Sequence, residues 1–123
     1  MNNNLYIDLP SKVFAPGSTV DGELLWTLDR PPEEITLTLG WWTEGRGTRD
    51  SRIEATHTVC TMETAGKESF SLVLPPSPYS FAGTLIVLKW ALEARVRKGK
   101  ATVVEPVIVS PSGKEVRLTR VAD

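Results

Sequence analysis

The chain has 123 residues, enough for one domain with a real core and too few for two ordinary ones. Its 41% hydrophobic and 24% charged residues are the proportions of a globular protein and exclude a disordered tail or a bundle of membrane helices. A net charge of -1, with acids and bases interspersed, supplies no field for nucleic acid or an anionic membrane, and a single cysteine, Cys60, excludes an internal disulfide. A lone thiol suits a reducing compartment, and the opening MNNNLYIDLP lacks the basic and apolar segments of a secretory signal. A cytoplasmic protein is therefore expected.

Taken in chain order, the elements follow a period of two, which is that of a strand with one buried face. Leu5, Ile7 and Leu9 alternate with Tyr6 and Asp8. After the turn former Pro16-Gly17, Val20, Leu24, Trp26 and Leu28 share one face while Thr19, Asp21, Glu23 and Thr27 share the other. Gly22 interrupts that strand without a side chain to pack, which predicts a bulge or the close approach of a neighbour. Beyond Asp29 to Pro32, Ile35, Leu37, Leu39 and Trp41 alternate with Thr36, Thr38 and Gly40, so Trp42 is expected on the outward face. The polar, glycine-bearing stretch Thr43 to Arg52 reads as a loop carrying Arg46, Arg49 and Arg52 against Glu44 and Asp50. Phe70, Leu72 and Leu74 resume the alternation before a corner made of Pro75, Pro76 and Pro78, where Ser80 is expected to bond back to the turn backbone.

The stretch PYSFAGTLIVLKWALEARV, residues 78 to 96, admits three readings. A membrane span fails, because Lys89, Glu93 and Arg95 interrupt the roughly 20 apolar residues it needs. A helix fails too, because Ile86 falls in the middle of the charged stripe formed by Lys89, Glu93 and Arg97. As a strand, Ile86, Leu88, Trp90, Leu92, Ala94 and Val96 point one way and Val87, Lys89, Ala91, Glu93 and Arg95 the other. A hairpin at Arg97 to Lys100 then leads to ATVVEPVIVS, where Pro106 predicts an edge position or a bulge. About seven or eight such strands, with no convincing helix, argue for an all-β, antiparallel β-sandwich of immunoglobulin-like type. Its core should include Trp26, Phe70, Leu88, Trp90 and Leu92.

With the strands placed, three segments resemble one family. FAPGSTVDGELLW, EITLTLGWWTEG and FSLVLPPSPYSFAGTLIVLKWALEARV look, in order and spacing, like strands of arrestin-like N-terminal domains. The resemblance runs from about residue 13 to 110, so residues 1–123 are read as a single arrestin-like domain. It implies a sandwich fold and a protein-binding habit, and it places Thr43 to Arg52 where arrestins insert a loop into their receptors. Two departures limit it. Family members usually carry a second sandwich, leaving open assembly with itself or with a second domain from another chain, and PPSPY is not the Pro-Pro-x-Tyr ligase motif.

Catalytic chemistry has few parts to use. His57 is the only histidine, so histidine-based zinc sites and triads are short of members. In a strand His57 and Cys60, three apart, point to opposite faces. No glycine-rich phosphate loop precedes a helix. No enzyme activity, cofactor or metal is expected, nor a nucleic acid partner or transmembrane segment. The expected function is a non-enzymatic protein-binding scaffold or adaptor, with a homo-oligomer as a possible state. The expected partner-binding residues are Arg46, Arg49, Arg52, Trp42, Leu25 and Val87, the last three as apolar groups on outward faces. The alternatives are a carbohydrate-binding sandwich that uses Trp42 as a stacking platform, and a purely structural subunit.

Overall fold

The computed structural model describes residues 4–45, 50–78, 80–82, 86–97, 99, 101–111 and 116–117. Among them run ten strands and no helix: β1 (Asn4–Asp8), β2 (Val13–Phe14), β3 (Thr19–Thr27), β4 (Glu33–Gly45), β5 (Ser51–Thr61), β6 (Ala65–Val73), β7 (Phe81–Ala82), β8 (Ile86–Val96), β9 (Thr102–Val109) and β10 (Val116–Arg117). Three of these (β2, β7 and β10) are two-residue pairings. Of the longer strands, β1, β3, β4, β6 and β8 contain the alternating runs, and β9 follows the expected hairpin. β5 has no marked alternation in the sequence, and Val59 is its one buried apolar residue.

Two sheets face each other. The smaller has the order β1-β3-β6, all antiparallel. The larger runs β10-β7-β8-β4-β5, with β9 also paired to β8 and β2 to β9. β8 lies antiparallel to β4 over its whole length, from Ile35 opposite Val96 to Gly45 opposite Ile86. This makes the longest alternating stretch the centre of the larger sheet, and the sandwich reading of residues 86 to 96 holds. Trp26, Phe70, Leu88, Trp90 and Leu92 are all buried, together with Leu24, Ile35, Leu37 and Leu39. Each fully buried apolar side chain of this kind contributes about 1.5–3 kcal/mol.

Local chemistry explains several joints. Ala15 to Ser18 form a turn in which the Ser18 N–H donates to the Ala15 carbonyl at 3.1 Å and Gly17 takes φ 78, the backbone that favours glycine at the third turn position. At Gly22 the expected close approach is present, since an added Cβ would stand 2.6 Å from the Asp8 carbonyl oxygen and 2.9 Å from Phe70 Cζ. Pro106 occupies an edge position as expected. The Val96 N–H donates to Ala101 O at 3.2 Å, so alternate residues from 101 to 107 address β8 and the Pro106 nitrogen faces the other way. β2 reaches only Ile108 and Val109 on that side, so the missing donor leaves no ladder bond unmade among the described residues. Ser80 differs from expectation. It is buried, accepts the Val109 N–H on its hydroxyl at 3.0 Å and donates its own N–H to the Val109 carbonyl at 2.7 Å. Tertiary pairing with β9 thus takes the place of a bond within the proline corner.

Candidate functional site

The end of the larger sheet that carries the β4–β5 hairpin holds Trp42, Val87 and Arg52. Trp42 is half-buried on the outer face of β4, opposite Ser51 of β5 and Lys89 of β8. Its indole N–H donates to Glu44 Oε2 at 2.6 Å, and Lys89 Nζ lies 3.5 Å from Glu44 Oε1. Val87 stands opposite Glu44, so Trp42, Glu44, Val87 and Lys89 form one outward cluster with the ring held in place. Leu25 does not join it. It lies half-buried on the outer face of the smaller sheet, opposite Tyr6 and Lys67. The two sheets turn their outer faces in opposite directions, so Leu25 and Trp42 cannot form one patch.

The loop expected from Thr43 to Arg52 is shorter than that. β4 continues to Gly45 and β5 begins at Ser51, with the Thr43 N–H donating to the Asp50 carbonyl at 2.8 Å. Arg52 is therefore a strand residue, paired with Trp41, and not part of a free loop. Glycines and charges obscured this in the sequence, because a hairpin pairs by backbone bonds that need no apolar side chain. Arg46 and Arg49 lie outside the described residues.

A bulge shapes this corner. The β4–β5 register shifts at Leu39/Gly40, where Leu39 faces Ala55 and Gly40 faces Ile53, leaving Glu54 as the extra residue. The Glu54 carboxylate turns toward the core edge, accepts the Trp41 indole N–H at 2.8 Å and lies 3.6 Å from Arg52 Nε. Gly40 makes the shift possible, since a Cβ there would meet the Arg52 carbonyl oxygen at 2.7 Å. Gly40 and the buried Ala91 then form the floor of a shallow groove on the outer face, rimmed by Trp42, Ile53 and Val104. Ile53 is 63% exposed and Val104 51%. Alternation alone places Gly40 and Ala91 outward, but that Val104 of β9 stands across from Ile53 of β5 follows from strand order.

His57 and Cys60 stand apart from this corner. His57 faces inward from β5 and its Nε2 lies 2.9 Å from Glu68 Oε2 of β6, a bond that links the two sheets at the side of the sandwich. Cys60 is exposed on the opposite face of the same strand, so thiol and imidazole do not meet. Among the described residues no group of three or more His, Cys, Asp or Glu is placed to hold a metal, and no helix is long and apolar enough to cross a membrane.

No protein-family model matches the chain, and no curated protein matches its sequence. Among solved structures it is similar to Spo0M, a sporulation control protein from Bacillus subtilis, with a TM-score of 0.64 and 15% sequence identity. The match covers 89% of this chain and 50% of that one, so the chain spans about half the length of that structure. At such identity the likeness concerns the fold, and the fold the two share is an arrestin-like β-sandwich.

Proposed function

We propose that the protein is a non-enzymatic, cytoplasmic protein-binding adaptor of arrestin-like type, whose partner docks on the outer face of the larger sheet beside the β4–β5 hairpin. One observation carries this reading. The groove joins a tryptophan held by Glu44 to the exposed apolar groups Ile53 and Val104, one strand position from Arg52 at the start of β5. A fixed aromatic anchor next to apolar rims, with Lys89 paired to Glu44 beside it, suits a protein surface that offers a hydrophobic group with polar neighbours. Arg46 and Arg49 stand in the sequence between β4 and β5 and, with Arg52, are the basic residues expected to meet an acidic partner.

The test is a pull-down with the parent chain, repeated with the Arg46→Ala, Arg49→Ala, Arg52→Ala triple variant and with Trp42→Ala. Both variants should recover the partner at lower yield. The triple variant should also melt like the parent: the Arg52 side chain is largely exposed, and exposed positions usually change stability by no more than about 0.5 kcal/mol. Unchanged recovery by both folded variants would sink the proposal. So would binding in a glycan screen that Trp42→Ala abolishes, with no protein captured, which would identify a carbohydrate module.

A further inference from the structure

β5 is the outermost strand of the larger sheet: β4 pairs with one side of it and, among the described residues, nothing pairs with the other. Backbone polarity identifies what the free side offers. The Arg97 N–H donates to the Glu34 carbonyl at 2.9 Å, so even-numbered residues of β4 address β8 and odd-numbered ones address β5. The bond from the Thr43 N–H to Asp50 O agrees. Ile35, Leu37 and Leu39 stand opposite Val59, His57 and Ala55, and these exchange the ladder bonds. The N–H and C=O groups of Thr56, Thr58 and Cys60 therefore point away from the sheet. Their side chains are exposed on its outer face.

Proteins usually blunt such an edge with lysine, proline or another charge. The run Ala55 to Thr61, ATHTVCT, contains no Lys, Arg, Asp, Glu or Pro. By contrast β6, the edge on the same side of the smaller sheet, carries Lys67 and Glu68. We infer that β5 pairs antiparallel with β5 of a second copy of this chain, about a two-fold axis at Thr58, so that the larger sheet continues through both molecules. The register follows from the limits of the strand. The bulge at Glu54 and the strand end at Thr61 bound the regular run, and centring on Thr58 aligns all of it with itself. Thr58 then faces Thr58, and Thr56 faces Cys60 on either side. These three edge-facing pairs exchange about six backbone hydrogen bonds. The ends are complementary in charge. Allowing for the extra residue at the bulge, exposed Arg52 comes to the end where exposed Glu63 of the second copy lies in the β5–β6 turn, and symmetry makes this contact twice. The neutral centre brings no like charges together, and the closed two-fold uses up both edges so that no filament forms. This pairing needs no other protein and is independent of the adaptor reading.

Light scattering on the full chain across the micromolar range tests it, and a dimer without larger species is expected. Thr58→Pro removes an N–H that faces the second copy and none that bonds β4. Thr58→Lys sets two ammonium groups opposite each other. Each should keep the parent's circular dichroism and melting while weakening the dimer at least about tenfold. Should the proline variant fail to fold, the lysine variant carries the test. In the T56C chain the new thiol stands opposite native Cys60 of the second copy, and mild oxidation should give a disulfide-linked dimer that Thr58→Lys suppresses. A chain that stays monomeric at high micromolar concentration overturns the inference. So does a dimer that a folded Thr58→Lys variant leaves unchanged, or a T56C dimer that does not cross-link.

Discussion

Trp90 gives the sharpest test of the core. It is 1% exposed at the centre of β8, opposite Trp41 and Val107, and its indole N–H finds no hydrogen-bond partner among the described residues. Two substitutions separate packing from polarity. Trp90→Ala removes the whole ring and leaves a cavity, which costs about 3–5 kcal/mol. Trp90→Phe removes two buried carbons, about 1.5 kcal/mol of apolar transfer, and also removes the orphaned donor, whose desolvation costs about 1–3 kcal/mol. The phenylalanine variant should therefore lie within about 1.5 kcal/mol of the parent. Urea unfolding followed by far-UV circular dichroism reads both. With a slope of about 2 kcal/mol per molar for a chain this size, the alanine variant's midpoint should fall by about 2 M and the phenylalanine variant's by less than about 1 M. If Trp90→Phe loses as much as Trp90→Ala, the indole N–H has a partner that stabilises the fold, and the reasoning is wrong.

Other perturbations follow from single contacts. In Gly66→Ala the added methyl would stand 2.6 Å from Trp26 Cζ2, and the ring is held by its N–H bond to the Glu63 carbonyl at 3.0 Å. A loss of about 1–3 kcal/mol in denaturant unfolding is expected, and a neutral result would show that the indole slides freely. Glu54→Ala should cost about 1.5–3 kcal/mol by removing the charged acceptor of the Trp41 indole, whereas Glu54→Gln keeps an acceptor and should lose less. Equal losses from the two in the same unfolding assay would mean that the bulge, and not this bond, is what Glu54 supports.

Alternation carried the reading of this protein a long way. Strict period two from Ile86 to Val96, with charges confined to one face, leaves a half-buried strand as the consistent solution. The same logic identified Trp26, Phe70 and Trp90 as core, and the break at Pro106 left an edge position or a bulge, of which the structure has the edge. These are consequences of local geometry, because successive side chains of a strand point to opposite faces whatever the partner strands are. Local geometry did not reveal which strands adjoin. That Leu25 and Trp42 lie on opposite outer faces, that Arg52 belongs to a paired strand, and that Ser80 bonds to Val109 were settled by long-range pairing. The bulge at Glu54 is of the same kind, since two residues opposing one can be seen only once both strands are aligned. The groove rimmed by Trp42, Ile53 and Val104 needs β4, β5, β8 and β9 side by side, and strand order is a property of the closed sheet and not of any one segment. Which residues turn inward was decided along the chain. Which of them meet was decided by the backbone hydrogen bonds that join distant strands.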